Sequence, residues 1–241
     1  MTPPRIVILA ALLLGACGDD GAGPIDSGVA PVDIDNGLCG DQIRFTGELV
    51  DWDTHTAFCG INAATVEVPG GGMDGTAPNG RFDLCLPDAA STRLNVTFAA
   101  ANSQCTSPAA AYTIPTILYA SKAVIQSGGF FSARSFTTAR QTTFFQKVGV
   151  PFDAAKAQVF VHVDGPARTI TLGAAHGPTH AVVVGTVSTD WAATESGQDV
   201  FFPNVDVGTG TTTLGITGNA VAPESIPLIA GTITNVSVKS L

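Results

Sequence analysis

Four histidines, five cysteines and two tyrosines are the residues of this 241-residue chain best suited to nucleophilic, acid–base or metal chemistry. A nucleophile needs a base within hydrogen-bond reach, and that base is most often a histidine. His55 sits beside Asp51 and Asp53 in a polar loop, His162 points outward from an alternating strand, and His176 and His180 flank Gly177-Pro178-Thr179. No Gly-x-Ser-x-Gly elbow precedes a helix, so a hydrolytic triad has no local support. His176 and His180 have the i, i+4 spacing that puts two metal ligands on one helical face. The glycine and proline between them deny that helix, and all four histidines read as surface or turn residues. A zinc site would need Cys-x-x-Cys pairs with histidines nearby; the chain has no such pair, and only His55 lies close to a cysteine. The expectation is a protein that is no enzyme, with no cofactor and no metal.

One cysteine has a different chemistry. Arg5, the apolar run 6–14, and then Gly15, Ala16 and Cys17 follow the charged, apolar, small-residue order of a secretory signal. An apolar run of this length falls well short of the roughly 20 residues that cross a bilayer. Leu14-Gly15-Ala16-Cys17 resembles the bacterial lipobox, in which the thiol takes a diacylglyceryl group and the freed amine usually takes a third chain. Each buried CH₂ contributes about 0.8 kcal/mol, so a single chain holds marginally and two or three hold durably. Residues 1–16 are therefore expected to be a lipoprotein signal peptide and Cys17 the lipidation site. The protein would be held in the bacterial cell envelope by that lipid, at the outer membrane, periplasmic or surface-exposed. Residues 17–38, rich in Gly, Asp, Pro, Ala and Ser, read as a flexible tether, and the adjacent Asp19 and Asp20 as solvated tether residues rather than a cation site.

Removing residues 1–16 takes away Arg5 and no acidic residue, so the formal charge falls from -9 to -9 - 1 = -10. Such an excess repels phosphate backbones, so nucleic acid is not an expected partner, and a glycan, peptide or envelope protein is an acceptable one. Cys39, Cys59, Cys85 and Cys105 remain, an even number in an exported chain, and are expected to form disulfides. Three pairings are open. The one favoured joins Cys59 with Cys85 and Cys39 with Cys105, because the outer two bracket the segment and the inner two adjoin neighbouring strands.

Charged residues make up only 13% of the chain, and Thr, Val, Gly and Ala are abundant, which favours strands and tight turns. Period-two alternation predicts strands at 43–50, 61–68, 81–86 and 93–98. The Gly-rich stretch 69–75 is expected to lie outside any strand, and Asn79-Gly80 signals a tight turn. Phe82, Leu84 and Leu86 should face a core, with Arg81, Asp83 and Cys85 opposite. Gly47-Glu48-Leu49-Val50-Asp51, Ala63-Ala64-Thr65-Val66-Glu67-Val68 and Thr76-Ala77-Pro78-Asn79-Gly80-Arg81-Phe82-Asp83-Leu84 together resemble the carboxypeptidase regulatory-like domain, a small transthyretin-like β-sandwich. The resemblance covers about 41–105, and the cysteines and the Gly-rich insert depart from the family pattern.

A weaker second copy begins near Ala157, with strands at 159–163, 169–172 and 181–187, then 199–208 and 211–217 as a closing strand, turn and strand, and a last strand at 231–238. The expected fold is all-β, two tandem transthyretin-like Greek-key β-sandwiches at 39–106 and 157–241. Between them, 107–156 should carry a short helix at 135–148, capped by Ser135 or Thr137 and stopped by Gly149 and Pro151, with Phe136, Phe144, Phe145 and Val148 as its apolar face. Its expected role is to plug an open sheet edge or end.

Related transthyretin-like folds bring one enzymatic alternative, the iron-dependent intradiol oxygenases. Tyr112, Tyr119, His176 and His180 would be the ligands, but the close His-x-His arrangement of that family is missing. Trp52 and Trp191 each follow an aspartate in a loop after a strand. Both are candidate ligand-binding residues, because an exposed indole stacks on a sugar ring, and each is alternatively a plug for the end of its own sandwich. The resulting expectation is a lipid-anchored, non-catalytic scaffold or binding module for a glycan, peptide or protein, with an accessory module of an exported enzyme system as the alternative.

Overall fold

In the computed structural model the described residues are 39–52, 59–99, 101–103, 111–182 and 191–241. Cys17, His55, Cys105 and the signal and tether segments lie outside them. The described chain is mostly β with two short helices. It opens with β1 (Ile43–Asp51), β2 (Ile61–Asn62), β3 (Thr65–Glu67), β4 (Met73–Gly75), β5 (Arg81–Leu86), β6 (Ser91–Thr97) and β7 (Asn102–Ser103). Next come β8 (Thr116–Ser121), α1 (Lys122–Gln126), β9 (Phe131–Ser135) and α2 (Thr138–Lys147). The rest is β10 (Ala157–Asp164), β11 (Arg168–Leu172), β12 (His180–Val182), β13 (Ser196–Gly197), β14 (Asp199–Val205), β15 (Thr211–Thr212), β16 (Leu214–Ile216), β17 (Ala220–Val221), β18 (Ile226–Pro227) and β19 (Ile233–Ser240).

Local chemistry explains most of these boundaries. In β5, Phe82, Leu84 and Leu86 are buried while Arg81 and Asp83 are exposed, as alternation dictates. The turn before it depends on Gly80, at φ +77°, where a Cβ would come within 2.2 Å of the Leu49 carbonyl oxygen. The strand expected over 61–68 is broken in two by Ala63 at φ +57°. Thr76 repairs the break, its Oγ1 accepting from the Ala64 amide at 2.9 Å and donating to the Ile61 carbonyl at 2.6 Å. Residues 69–75 depart from expectation, since Met73–Gly75 pairs with Thr65–Glu67 as an edge strand. A three-residue edge strand needs only one partner, so the glycines before it do not prevent the pairing.

Strand pairing differs from a chain of two self-contained sandwiches. β5, β1 and β9 form a three-stranded sheet, with β1 antiparallel to β5 and parallel to β9. A nine-stranded sheet runs β12-β14-β10-β19-β8-β6-β3-β4, with β17 also paired to β19. β19 lies parallel to β10 on one side and parallel to β8 on the other. The last strand of the chain thus joins the segment expected to be a connector to the segment expected to be a second module, and the described residues fall in one compact unit. Nothing local predicts this, because the partners are more than 70 residues away on one side and more than 110 on the other.

The cores nevertheless number two, with a third cluster between them. Phe45, Leu49, Phe82, Leu84 and Phe131 of the three-stranded sheet pack against Val66, Leu94 and Leu118 of the larger sheet. On the opposite face of the large sheet's other half, Val159, Val161, Val200, Phe202, Val236 and Val238 pack with Ile170, Ile226 and Leu228. β9 is an edge strand of the small sheet, and an exposed row of amides would invite another strand. Side chains of the large sheet satisfy that row. The amides of Phe130, Ser132 and Arg134 donate in turn to Asp164 Oδ2 (2.7 Å), Ser237 Oγ (3.3 Å) and Asn235 Oδ1 (2.8 Å).

Helix α2 forms close to where the sequence places it. Thr137 is the N-cap, accepting from the Arg140 amide, and Gly149 follows the C-cap at φ +75°. Phe144 and Phe145 are buried, and Phe136 joins them from the residue before the cap.

Candidate functional site

The cysteines are paired differently from the favoured expectation. Cys39 is bonded to Cys85, with Cα atoms 5.5 Å apart, and Cys59 is itself disulfide-bonded, so Cys59 is not the partner of Cys85. The cause is a turn before β1, in which Gly40 adopts φ +61° and the Gln42 amide donates to the Cys39 carbonyl. That turn folds Cys39 back to the outer side of β5, where Cys85 stands opposite Arg44 in register. Reducing the Cys39–Cys85 bridge, which spans 46 residues, should destabilise the fold by about 2 to 4 kcal/mol. A non-reducing peptide map combined with denaturation with and without reductant checks both the pairing and the cost. A Cys59–Cys85 peptide would overturn the assignment.

The two tryptophans come together. Trp52 follows β1 and Trp191 precedes β13, and their rings stack with centroids 4.9 Å apart. Trp52 also stacks on Phe136 at 3.7 Å and meets the edges of Phe144, Phe160 and Phe201. Trp52 is 0% and Trp191 6% exposed, so neither offers a face on which a sugar ring could stack. Their expected placement as candidate ligand-binding residues is corrected to a shared interior position. Each was alternatively expected to plug its own sandwich, whereas together they fill one seam in which β1, β9, α2, β10 and β14 meet.

Beside that aromatic seam lies the most concentrated polar chemistry in the described residues. Arg134, 4% exposed at its side chain, directs Nε at 2.9 Å and Nη2 at 2.7 Å to Asp199 Oδ2, and Nη1 at 3.0 Å to the Asp51 carbonyl. Asp199, 0% exposed, holds His162 Nδ1 with its other oxygen at 2.8 Å. Alternation explains the assembly: His162, Asp199 and Ser237 occupy one row across β10, β14 and β19, on the face that Arg134 covers. Tyr112 donates to Asp51 Oδ2 at 2.6 Å nearby. His162 was expected to face outward, and it does leave the valine core of its strand, but the side it enters is covered.

His176 and His180 each hydrogen-bond a carbonyl of their own turn through Nδ1, at Gly177 and Pro178. Burial lowers the His180 pKa below the usual histidine value, against the opposing pull of the Pro178 carbonyl. Tyr112 belongs to the first core, while Tyr119 packs against the second. Among the described residues no group of three or more His, Cys, Asp or Glu side chains is placed to hold a metal ion.

An open groove of about 570 Å³ lies where β8, α1 and the loop before β18 meet. Ser91, Tyr119, Ser121, Lys122, Gln126 and Glu224 line it. Tyr119 reaches the groove because it alternates with Leu118, which enters the first core. Opposite, the loop carrying Glu224 is pinned by buried Ile226 and Leu228 and by Thr234 Oγ1, which donates to the Pro227 carbonyl at 3.0 Å. Sequence reasoning missed all of these as one site, Tyr119 having been weighed only as an iron ligand. They come from three separated segments, and no local pattern joins them.

No protein-family model matches the chain, and no curated protein matches it. Among solved structures it is similar to the Bacillus anthracis TIE protein, at 13% identity and a TM-score of 0.23, over 81% of this chain and 34% of that one. The chain therefore spans about a third of that protein's length.

Proposed function

We propose that the protein is an exported lipoprotein, anchored through Cys17, whose β body acts as a non-catalytic scaffold or binding module for a glycan, peptide or protein. One observation carries this reading. The residues with the greatest chemical capacity, Arg134, Asp199 and His162, together with both tryptophans, join the small sheet to the large one in the interior, while the groove around Tyr119 stands open. That division of labour suits a stiff body presenting a surface. In this reading 39–106 is the carboxypeptidase regulatory-like part and 157–241 its divergent partner. Two separate valine- and phenylalanine-rich cores support that division. The segment 107–156 then contributes a strand to each sheet, through β8 and β9.

Anchoring rests on Leu14-Gly15-Ala16-Cys17. No helix of the described residues is long and apolar enough to cross a membrane. Cys17→Ser should abolish fatty-acid labelling and membrane retention and leave a precursor that is uncleaved or cleaved elsewhere. Metabolic labelling with an alkyne palmitate and cell fractionation measure this. Wild-type protein that takes no label and fractionates as soluble would overturn the lipoprotein reading.

A further inference from the structure

We infer that the groove around Tyr119 is a binding site for a neutral sugar, the unit of an uncharged glycan; this rests on the binding-module reading above and assigns it a place. Four features of the groove converge on hydroxyl-rich ligands. Tyr119 supplies a half-buried aromatic ring held from below by the large sheet. Such a ring offers a flat apolar face beside a polar rim, the combination that packs on the C–H face of a pyranose. Ser121, 5% exposed as a residue, lines the groove and brings a hydroxyl to its wall. Gln126 and Glu224, both exposed, bring an amide and a carboxylate to the groove from α1 and from the loop before β18. Adjacent sugar hydroxyls can bridge such planar groups as paired donors and acceptors.

Charge selects against ions. The groove is lined by one cation, Lys122, which is paired with Asp88, and by one carboxylate, Glu224. The local field is balanced, and the chain's net charge of -9 disfavours polyanions. Topology selects against an extended peptide. β8 is paired with β6 along its whole length and with β19 up to Tyr119, so among the described residues little of it is left as a strand edge to which a peptide could add itself. The lining is also fixed before any ligand arrives: the Lys122 amide donates to the Ala90 carbonyl at 3.0 Å, setting one wall, and buried Ile226 sets the other. Preformed walls reduce the ordering cost of binding a small polar ligand.

The test is a titration of the full-length, detergent-solubilised protein with chito-, cello-, malto- and galacto-oligosaccharides, alongside mixed-sequence peptides of similar length. At least one neutral oligosaccharide series should bind. Tyr119→Leu, which keeps apolar bulk but loses the ring, should weaken it about five- to tenfold, the scale of one aromatic contact. Glu224→Gln, at an exposed position, should weaken it with an unchanged melting temperature, so loss of fold does not confuse the result. Binding by none of the four series, binding that survives both substitutions, or peptides that compete at the groove would each overturn the assignment. Mass spectrometry of the recovered sugar separates the two readings. Cleaved sugar would end the non-catalytic reading and leave the site standing, whereas absent binding with normal lipid labelling would end the site alone.

Discussion

Trp52→Ala should lower the free energy of unfolding by about 3 to 5 kcal/mol, the usual cost of removing a large aromatic side chain from a packed interior. Trp52 is fully buried and touches rings from four separate stretches of chain, through Trp191, Phe136, Phe144, Phe160 and Phe201. Local collapse cannot refill such a cavity, because Phe144, Phe160 and Phe201 are held by α2, β10 and β14 respectively. Trp191→Ala should cost a similar amount, and the double substitution less than the sum, since the two rings stack on each other. Denaturant titration followed by far-UV circular dichroism is the measurement, with the change in midpoint read at constant slope. A Trp52→Ala protein that keeps its midpoint but loses a ligand would mean that the indole is a binding platform, contrary to its burial.

Arg134→Met should be comparably damaging, at about 3 to 5 kcal/mol, because it leaves a buried carboxylate without its guanidinium. Asp199 is 0% exposed, and two of its contacts come from Arg134. Methionine preserves much of the stem, so the loss reports the charge rather than the volume. Arg134→Met combined with Asp199→Leu should recover a large part of the stability, since removing both partners of a buried pair leaves no uncompensated charge. Equilibrium unfolding of the two single variants and the double variant decides the matter. A single substitution costing less than about 1 kcal/mol would show that water reaches Asp199 and that the pair behaves as a surface ion pair.

The strands of the first half were legible because alternation is a local property. Phe45, Phe82, Leu84, Leu86 and Leu94 enter the core where period two places them, and Asn79-Gly80 makes its turn because only a residue without Cβ fits beneath the Leu49 carbonyl. Helix α2 was equally local, being framed by a threonine cap and by Gly149. What escaped was everything set by long-range partners. His162 alternates correctly out of its valine face, but only the crossing of β9 makes the other face an interior. Asn235, fully buried, accepts a hydrogen bond from the Arg134 amide 101 residues away along the chain, a contact no local pattern announces. The cysteine pairing failed for the same reason, since Gly40 turns Cys39 back toward β5 and four cysteines carry no record of that turn.

Residue order along this chain is enough to specify a β-rich body, the faces of its longer strands, its tight glycine turns and its helix caps, because each depends on neighbours within a few positions. It is also the whole basis for expecting export and lipid on Cys17, which is a property of four consecutive residues. Tertiary structure alone decides that β19 enters between β8 and β10, that two tryptophans 139 residues apart stack on one another, and that Ser121, Tyr119 and Glu224 share a groove. Period two states which face a side chain takes, but not what will cover that face. The cover is chosen by strand order, and strand order is settled only when separate segments compete to bury the same apolar and polar groups.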